Sequence, residues 1–143
     1  MDTTEIIKKL ESLNLSTYPY DADNFQPPAL VVDVELVHPN AKDKRRVTKK
    51  AQIDTGADGS VIPATLRDDW DLNKADDVIT VDCHNRRTSE PTYNIRIVVN
   101  GLVSKIVEVT LVDGEDVLLG RDILNELKMC ANGKTLSFTL EDP

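Results

Sequence analysis

The chain has 143 residues, enough for one domain with a sizeable core and too few for two ordinary ones. Hydrophobic residues make up 40% and charged residues 29%, a globular composition rather than a disordered one. Lys and Arg number 17 against 25 Asp and Glu, and the net charge of −8 excludes the basic footprint of a general nucleic-acid binder. No apolar run approaches the roughly 18 residues of a membrane span, and the N-terminus lacks the apolar stretch of a signal peptide. Cys83 and Cys130 are too few for a disulfide framework or a Cys-rich zinc site, and read as ordinary thiols of a reducing compartment. A soluble cytoplasmic protein with no membrane contact is the expectation. The initial Met1 suggests a free-standing reading frame.

In chain order, Asp2 followed by Glu5 has the form of a capped helix start, and Ile6, Ile7, Leu10 and Leu13 share one helical face. A short amphipathic helix is expected over about residues 3–13. From Ser16 to Pro28, prolines and aromatics without a period read as an extended linker. Residues 1–28 therefore form an extension of helix and linker, either a passive appendage or a segment that controls access to the domain of residues 29–143.

That domain reads as mainly β. Val32, Val34 and Leu36 alternate with Asp33 and Glu35, the period of a half-buried strand. A charged loop from His38 to about Arg46 leads into a second strand ending at Ile53. Tyr93, Ile95, Ile97 and Val99 alternate again before Asn100-Gly101, a strong hairpin-turn signal. Val103, Val107, Val109 and Leu111 form the return strand, which stops at Asp113-Gly114. A helix is predicted from Arg121 to Lys128, and Leu136, Phe138 and Leu140 mark a final strand. Short strands joined by hairpins, with one late helix, predict a small closed or folded-over β domain.

The chemistry concentrates in Ala51-Gln-Ile-Asp54-Thr55-Gly56-Ala57-Asp58-Gly59-Ser60-Val61-Ile62-Pro63. An apolar strand ends in a carboxylate, then a hydroxyl, then a glycine that permits close backbone approach. Asp, Thr and Gly are also common turn residues, so these alone would read as turn chemistry. A second stretch, Val117-Leu118-Leu119-Gly120-Arg121-Asp122, is an apolar run ending in glycine before a helix start. In this order within a β-rich domain, the two motifs resemble the retropepsin family, the retroviral-type aspartic proteases, over roughly residues 29–143.

The resemblance implies a small closed β-barrel-like acid-protease domain and an aspartic endopeptidase without metal or other cofactor. Such enzymes need two carboxylates at one site, one ionised to deprotonate water and one protonated to polarise the scissile carbonyl. This chain has a single Asp-Thr-Gly triplet, so the resemblance implies a two-fold homodimer in which each subunit contributes Asp54. The two carboxyl groups would act as a coupled pair, the general case for which aspartic proteases are a standard illustration. Thr55 and Gly56 would form the active-site loop and grip the partner's loop. Gly56, Ala57 and Asp58, with Cys83, His84 and Asn85, would line the peptide or protein substrate. Asp58 and Arg121 would form an ion pair beneath the site, for which a planar guanidinium is well suited. Leu118, Leu119 and Gly120 would pack under the active-site turn. The strand from Thr135 to Leu140 is expected at the dimer interface, because its edges would otherwise stay open.

One departure stands out. The family's flap is a hairpin with a glycine-rich tip, whereas Val78 to Tyr93 contains no glycine. The expected tip is Asp82-Cys83-His84-Asn85-Arg86-Arg87, in which Asn85 can supply a left-handed turn residue. The glycine-free region favours an alternative function, a peptide-binding or dimerisation module with little or no hydrolysis, while the intact Asp-Thr-Gly favours the enzyme. His84 reads as a solvent-exposed loop residue, and the run Lys42, Lys44, Arg45, Arg46, Lys49 and Lys50 reads as a solvated loop, not a nucleic-acid patch.

Overall fold

Alternation of apolar and polar residues decides most of the architecture, because each strand must turn one face to the core. The computed structural model of the chain describes residues 2–5 and 15–143. Ten strands and two short helices follow one another from residue 15: β1 (Leu15–Pro19), β2 (Val31–Val37), β3 (Arg46–Ile53), β4 (Val61–Pro63), α1 (Thr65–Asp69), β5 (Lys74–Val81), β6 (Arg87–Val99), β7 (Val103–Val112), β8 (Val117–Leu119), α2 (Arg121–Leu124), β9 (Lys128–Asn132) and β10 (Ser137–Glu141).

Seven strands form a sheet in the order β2-β3-β8-β4-β7-β6-β5, and a further pairing of β2 with β6 closes six of them into a barrel. The closed β-barrel expected from the sequence is present. Closure depends on the length of β6, 13 residues. Its first half pairs with β5, and its second half pairs with β7 and β2. Val32, Val34 and Leu36 of β2 meet Ile95, Ile97 and Val99 of β6 and Val109 of β7 in the interior, all essentially buried. Phe138 and Leu140 of β10 complete the same core.

Three expectations are corrected. Residues 16–28 are not simply a linker: β1 pairs antiparallel with β10, Asp21 bridges Ala29, and Tyr18 stacks on Phe138 with ring centroids 5.2 Å apart. An aromatic pair and a strand ladder outweigh the absence of a local period. At the start of the chain, residues 3–5 are helical and the Asp2 carboxylate accepts the Glu5 N–H at 2.8 Å. The apolar face of Ile6, Ile7, Leu10 and Leu13 lies outside the described residues.

The predicted helix from Arg121 to Lys128 is only α2, four residues long. Turns through Leu127 follow, and Lys128 opens β9, because pairing with β10 satisfies the backbone that a longer helix would have to satisfy itself. The edges of β10 are not open either. It lies between β1 and β9 in a three-stranded sheet, so Ser137 to Leu140 lack the unpaired backbone that motivated placing the strand from Thr135 to Leu140 at an interface, and Thr135 and Leu136 belong to the preceding turn.

The basic run sits partly on β3, and three of its six cations pair with acids. Arg45 pairs with Asp43, Arg46 with Glu35, and Lys49 with Glu115. This is the environment of a solvated face.

Candidate active site

Strand order builds the site. β8 runs parallel to β3 on one side and antiparallel to β4 on the other. The connection from β3 to β4, Asp54 to Ser60, must therefore cross the C-terminal end of β8. Asp54 is the first residue off β3, and its N–H still donates to the Leu119 carbonyl at 2.9 Å. It is half-buried, while Thr55 and Gly56 are exposed. The Gly56 N–H donates to Asp54 Oδ1 at 2.9 Å and orients the carboxylate. The Ala57 N–H, donating to the Asp54 carbonyl at 3.3 Å, closes the turn.

The turn rests on the segment after β8. The Arg121 N–H donates to the Ala57 carbonyl at 2.9 Å, and the Asp122 N–H donates to the Asp58 carbonyl at 3.3 Å. This approach requires glycine at position 120, for a Cβ there would stand 2.6 Å from the carbonyl carbon and oxygen of Gly59. The reason is contact, not backbone conformation, since Gly120 is extended at φ −93°.

Arg121 and Asp58, singled out in the sequence, meet: Arg121 Nη2 pairs with Asp58 Oδ1, and Nη1 donates to the Thr55 carbonyl at 2.8 Å. The Asp58 side chain is 94% exposed in the single chain and that of Arg121 41%. An ion pair so exposed contributes little by itself. The guanidinium acts chiefly as a strut that ties the ends of the Thr55–Asp58 segment to α2.

Two residues that motif reading passed over complete the support. Ser60 is 1% exposed. Its Oγ donates to Asp122 Oδ1 at 2.7 Å and accepts the Gly120 N–H at 3.0 Å, while its own N–H donates to Asp122 Oδ2 at 3.0 Å. The signal was present, since both residues lie inside the two quoted stretches. What was missing was the fold that brings residues 60 and 122 together. Ser60→Ala is expected to destabilise the protein by about 1–3 kcal/mol, because it leaves the buried Gly120 N–H without an acceptor. Denaturant unfolding of the two forms checks this, and equal stability would assign the Gly120 N–H another partner.

Cys83, His84 and Asn85 lie apart from this turn, at the tip of the β5–β6 hairpin, and all three are exposed. The hairpin forms without glycine because Asn85 adopts φ +62°. Among the described residues, the hydrogen bonds that organise the tip are internal. The Asp82 carboxylate accepts the N–H groups of His84 at 2.8 Å and Arg86 at 2.9 Å, and Arg86 Nε at 3.0 Å. The Arg86 N–H foremost lowers the Asp82 pKa from its ordinary value of 3.8; burial, the next largest effect, opposes it, and the His84 N–H and Arg86 side chain add to the lowering. The shift fixes the sign of a pH effect. A carboxyl whose pKa is depressed by folding stabilises the tip above about pH 3.8, and that stabilisation fades as pH falls further. Protection of the amides of residues 82–87, taken relative to their intrinsic exchange rates, is expected to fall below that pH in the wild type and to be flatter with pH in Asp82→Asn. A parallel pH response in both would contradict this assignment. On the hairpin's strands Val78, Ile79 and Val81 are exposed, an apolar surface on a projecting element.

No protein-family model and no curated protein sequence matches this chain. The structure is similar to the crystal structure of a retropepsin-like aspartic protease from Rickettsia conorii, with a TM-score of 0.56 and 13% identity, over 88% of this chain and 89% of that one. At that identity the likeness establishes the fold, which is that of the retropepsin-like aspartic proteases. Among the described residues no helix is long and apolar enough to cross a membrane.

Proposed function

We propose that the protein is an aspartic endopeptidase in which Asp54 of each of two identical subunits forms the catalytic dyad. The observation that carries this reading is the Asp54 turn itself. A half-buried carboxylate is held at a strand end by the Gly56 N–H, on a turn braced by Arg121, Ser60 and Asp122, within a retropepsin-like fold. A carboxylate held in this way has little structural work to do beyond accepting one N–H. Acid–base chemistry uses it more fully.

In the proposed reaction one carboxylate takes a proton from water as the water oxygen attacks the scissile carbonyl. The other, protonated, donates to the carbonyl oxygen. The resulting tetrahedral diol collapses as the amide nitrogen is protonated and the C–N bond breaks. Gly56, Ala57 and Asp58, at the mouth of the turn, would hold an extended peptide, with Cys83, His84 and Asn85 covering it from the hairpin. The exposed thiols of Cys83 and Cys130 fit a reducing cytoplasmic setting.

The module without hydrolysis draws its support from the glycine-free hairpin. Because Asn85 supplies the left-handed residue, the lack of glycine does not remove the hairpin, and the enzyme reading is the stronger. Incubation with a mixed peptide library, with and without a statine-type inhibitor, tests it. Inhibitor-sensitive cleavage is expected, with specific activity rising with protein concentration. Peptide binding without cleavage at any pH from strongly acidic to neutral would decide for the module.

A further inference from the structure

We propose that the protein carries a second peptide-docking site, separate from Asp54: a groove between β1 and β2 that seats an extended segment of a partner protein with alternate basic side chains. The groove measures about 860 Å³, and none of the residues lining it belongs to the Asp54 turn. It serves binding, not hydrolysis, and does not depend on the dyad.

Two unpaired strand edges bound this groove. In an antiparallel ladder, residues that exchange hydrogen bonds with the neighbouring strand alternate with residues whose N–H and C=O point away from it. The Tyr20 N–H donates to the Leu136 carbonyl at 2.8 Å, one step beyond the β1–β10 register. By alternation Tyr18 bonds to β10, while Thr17 and Pro19 turn their backbone away. The Ile53 N–H likewise donates to the Leu30 carbonyl at 3.0 Å, so Val31 and Asp33 of β2 turn away from β3. Asp21 and Ala29 bridge the two edges at one end, and β6 takes up the edge of β2 only from Glu35 onward. Between these points neither edge has a strand partner among the described residues. Thr17 and Asp33 each offer an N–H and a C=O, and Pro19 a carbonyl, the groups by which an added strand is held.

Side chains choose the occupant. Four carboxylates line the groove, those of Asp21, Asp23, Asp33 and Glu35, against the single ammonium of Lys50. Glu35 is paired with Arg46, and Asp21 accepts three bonds from Asp23 and Asn24, whereas Asp23 and Asp33 are exposed. A strand alternates its side chains between two faces. Tyr18, stacked on the buried Phe138, marks the apolar face, and Asp33, exposed between the buried Val32 and Val34, marks the other. A segment alternating apolar and basic residues matches both. The net charge of −8 adds a long-range attraction for such a segment.

The probe is a blocked, fluorescent peptide alternating lysine and valine, long enough to span β1, added to the unmodified protein under a saturating statine-type inhibitor. Saturable binding is expected, with amide protection gained at residues 17 and 31–33 and none at residues 54–58 or 74–81. A peptide alternating lysine and proline has the same charge but cannot extend a sheet, and should bind roughly tenfold more weakly. Replacing both exposed carboxylates, Asp23→Asn with Asp33→Asn, should weaken binding about tenfold and leave the melting temperature unchanged. Competition between inhibitor and peptide would assign the peptide to the Asp54 cleft. Equal affinity for the proline peptide would reduce the effect to net charge. Either result, protection elsewhere, or an absence of binding overturns the groove. Cleavage enters none of these readouts, so the endopeptidase reading stands or falls separately.

Discussion

Asp54→Asn is expected to abolish peptide hydrolysis, lowering kcat/KM by at least about a thousandfold, within the range by which a single positioned acid or base contributes. Two-fold symmetry makes the loss complete, since one substitution removes both carboxylates of the proposed dyad. The turn should survive, because Oδ1 of an asparagine can still accept the Gly56 N–H that the Asp54 carboxylate accepts at 2.9 Å. Dimerisation and peptide binding should therefore persist. Steady-state kinetics beside thermal melting separates the outcomes. Full activity in a folded variant would place the chemistry on other residues, and loss of folding would make Asp54 a structural residue first.

The second large effect is expected at Gly120, which touches no substrate in this reading. Its missing side chain is where the Asp54 turn crosses the end of β8. An alanine Cβ would lie 2.6 Å from both the carbonyl carbon and oxygen of Gly59 and 3.0 Å from the Ala57 carbonyl oxygen. All of these atoms belong to backbone, and a neighbour of that kind yields only if the turn itself moves. Gly120→Ala is expected to cost about 1–3 kcal/mol or more, the usual penalty of forced overpacking. It should also reduce activity beyond what the loss of folded protein explains, since the atoms displaced belong to the turn that carries Asp54. Gly59→Ala is the control, for its Cβ would meet only Asp122 Oδ2 at an ordinary 3.9 Å. Equal unfolding midpoints for the two variants would refute the close approach at Gly120.

Much of this was legible before any coordinates. The alternation of Val32, Val34 and Leu36, and of Ile95, Ile97 and Val99, marked strands because a period of two is a local property of the backbone. Asn100-Gly101 marked a hairpin for an equally local reason: positive φ, which Asn100 and Gly101 both adopt. Asp54 and Arg121 stood out through short motifs whose residue types carry their chemistry.

Other features depended on residues distant in the chain. Nothing near Lys128 announced a strand, since β9 exists through its ladder with β10, and β1 exists through the same sheet and the stacking of Tyr18 on Phe138. Ser60 looked like one more turn residue until the crossing of the β3–β4 connection over β8 set its hydroxyl between Asp122 and the Gly120 N–H. The sequence by itself determined the barrel's inward faces, its turns and the carboxylate, because these follow from periodicity and residue chemistry. Only the tertiary structure decided which strand edges are filled, why residue 120 must be glycine, and how residues 54, 60, 121 and 122 support one turn, because backbone pairing and close contact join segments that no local pattern relates.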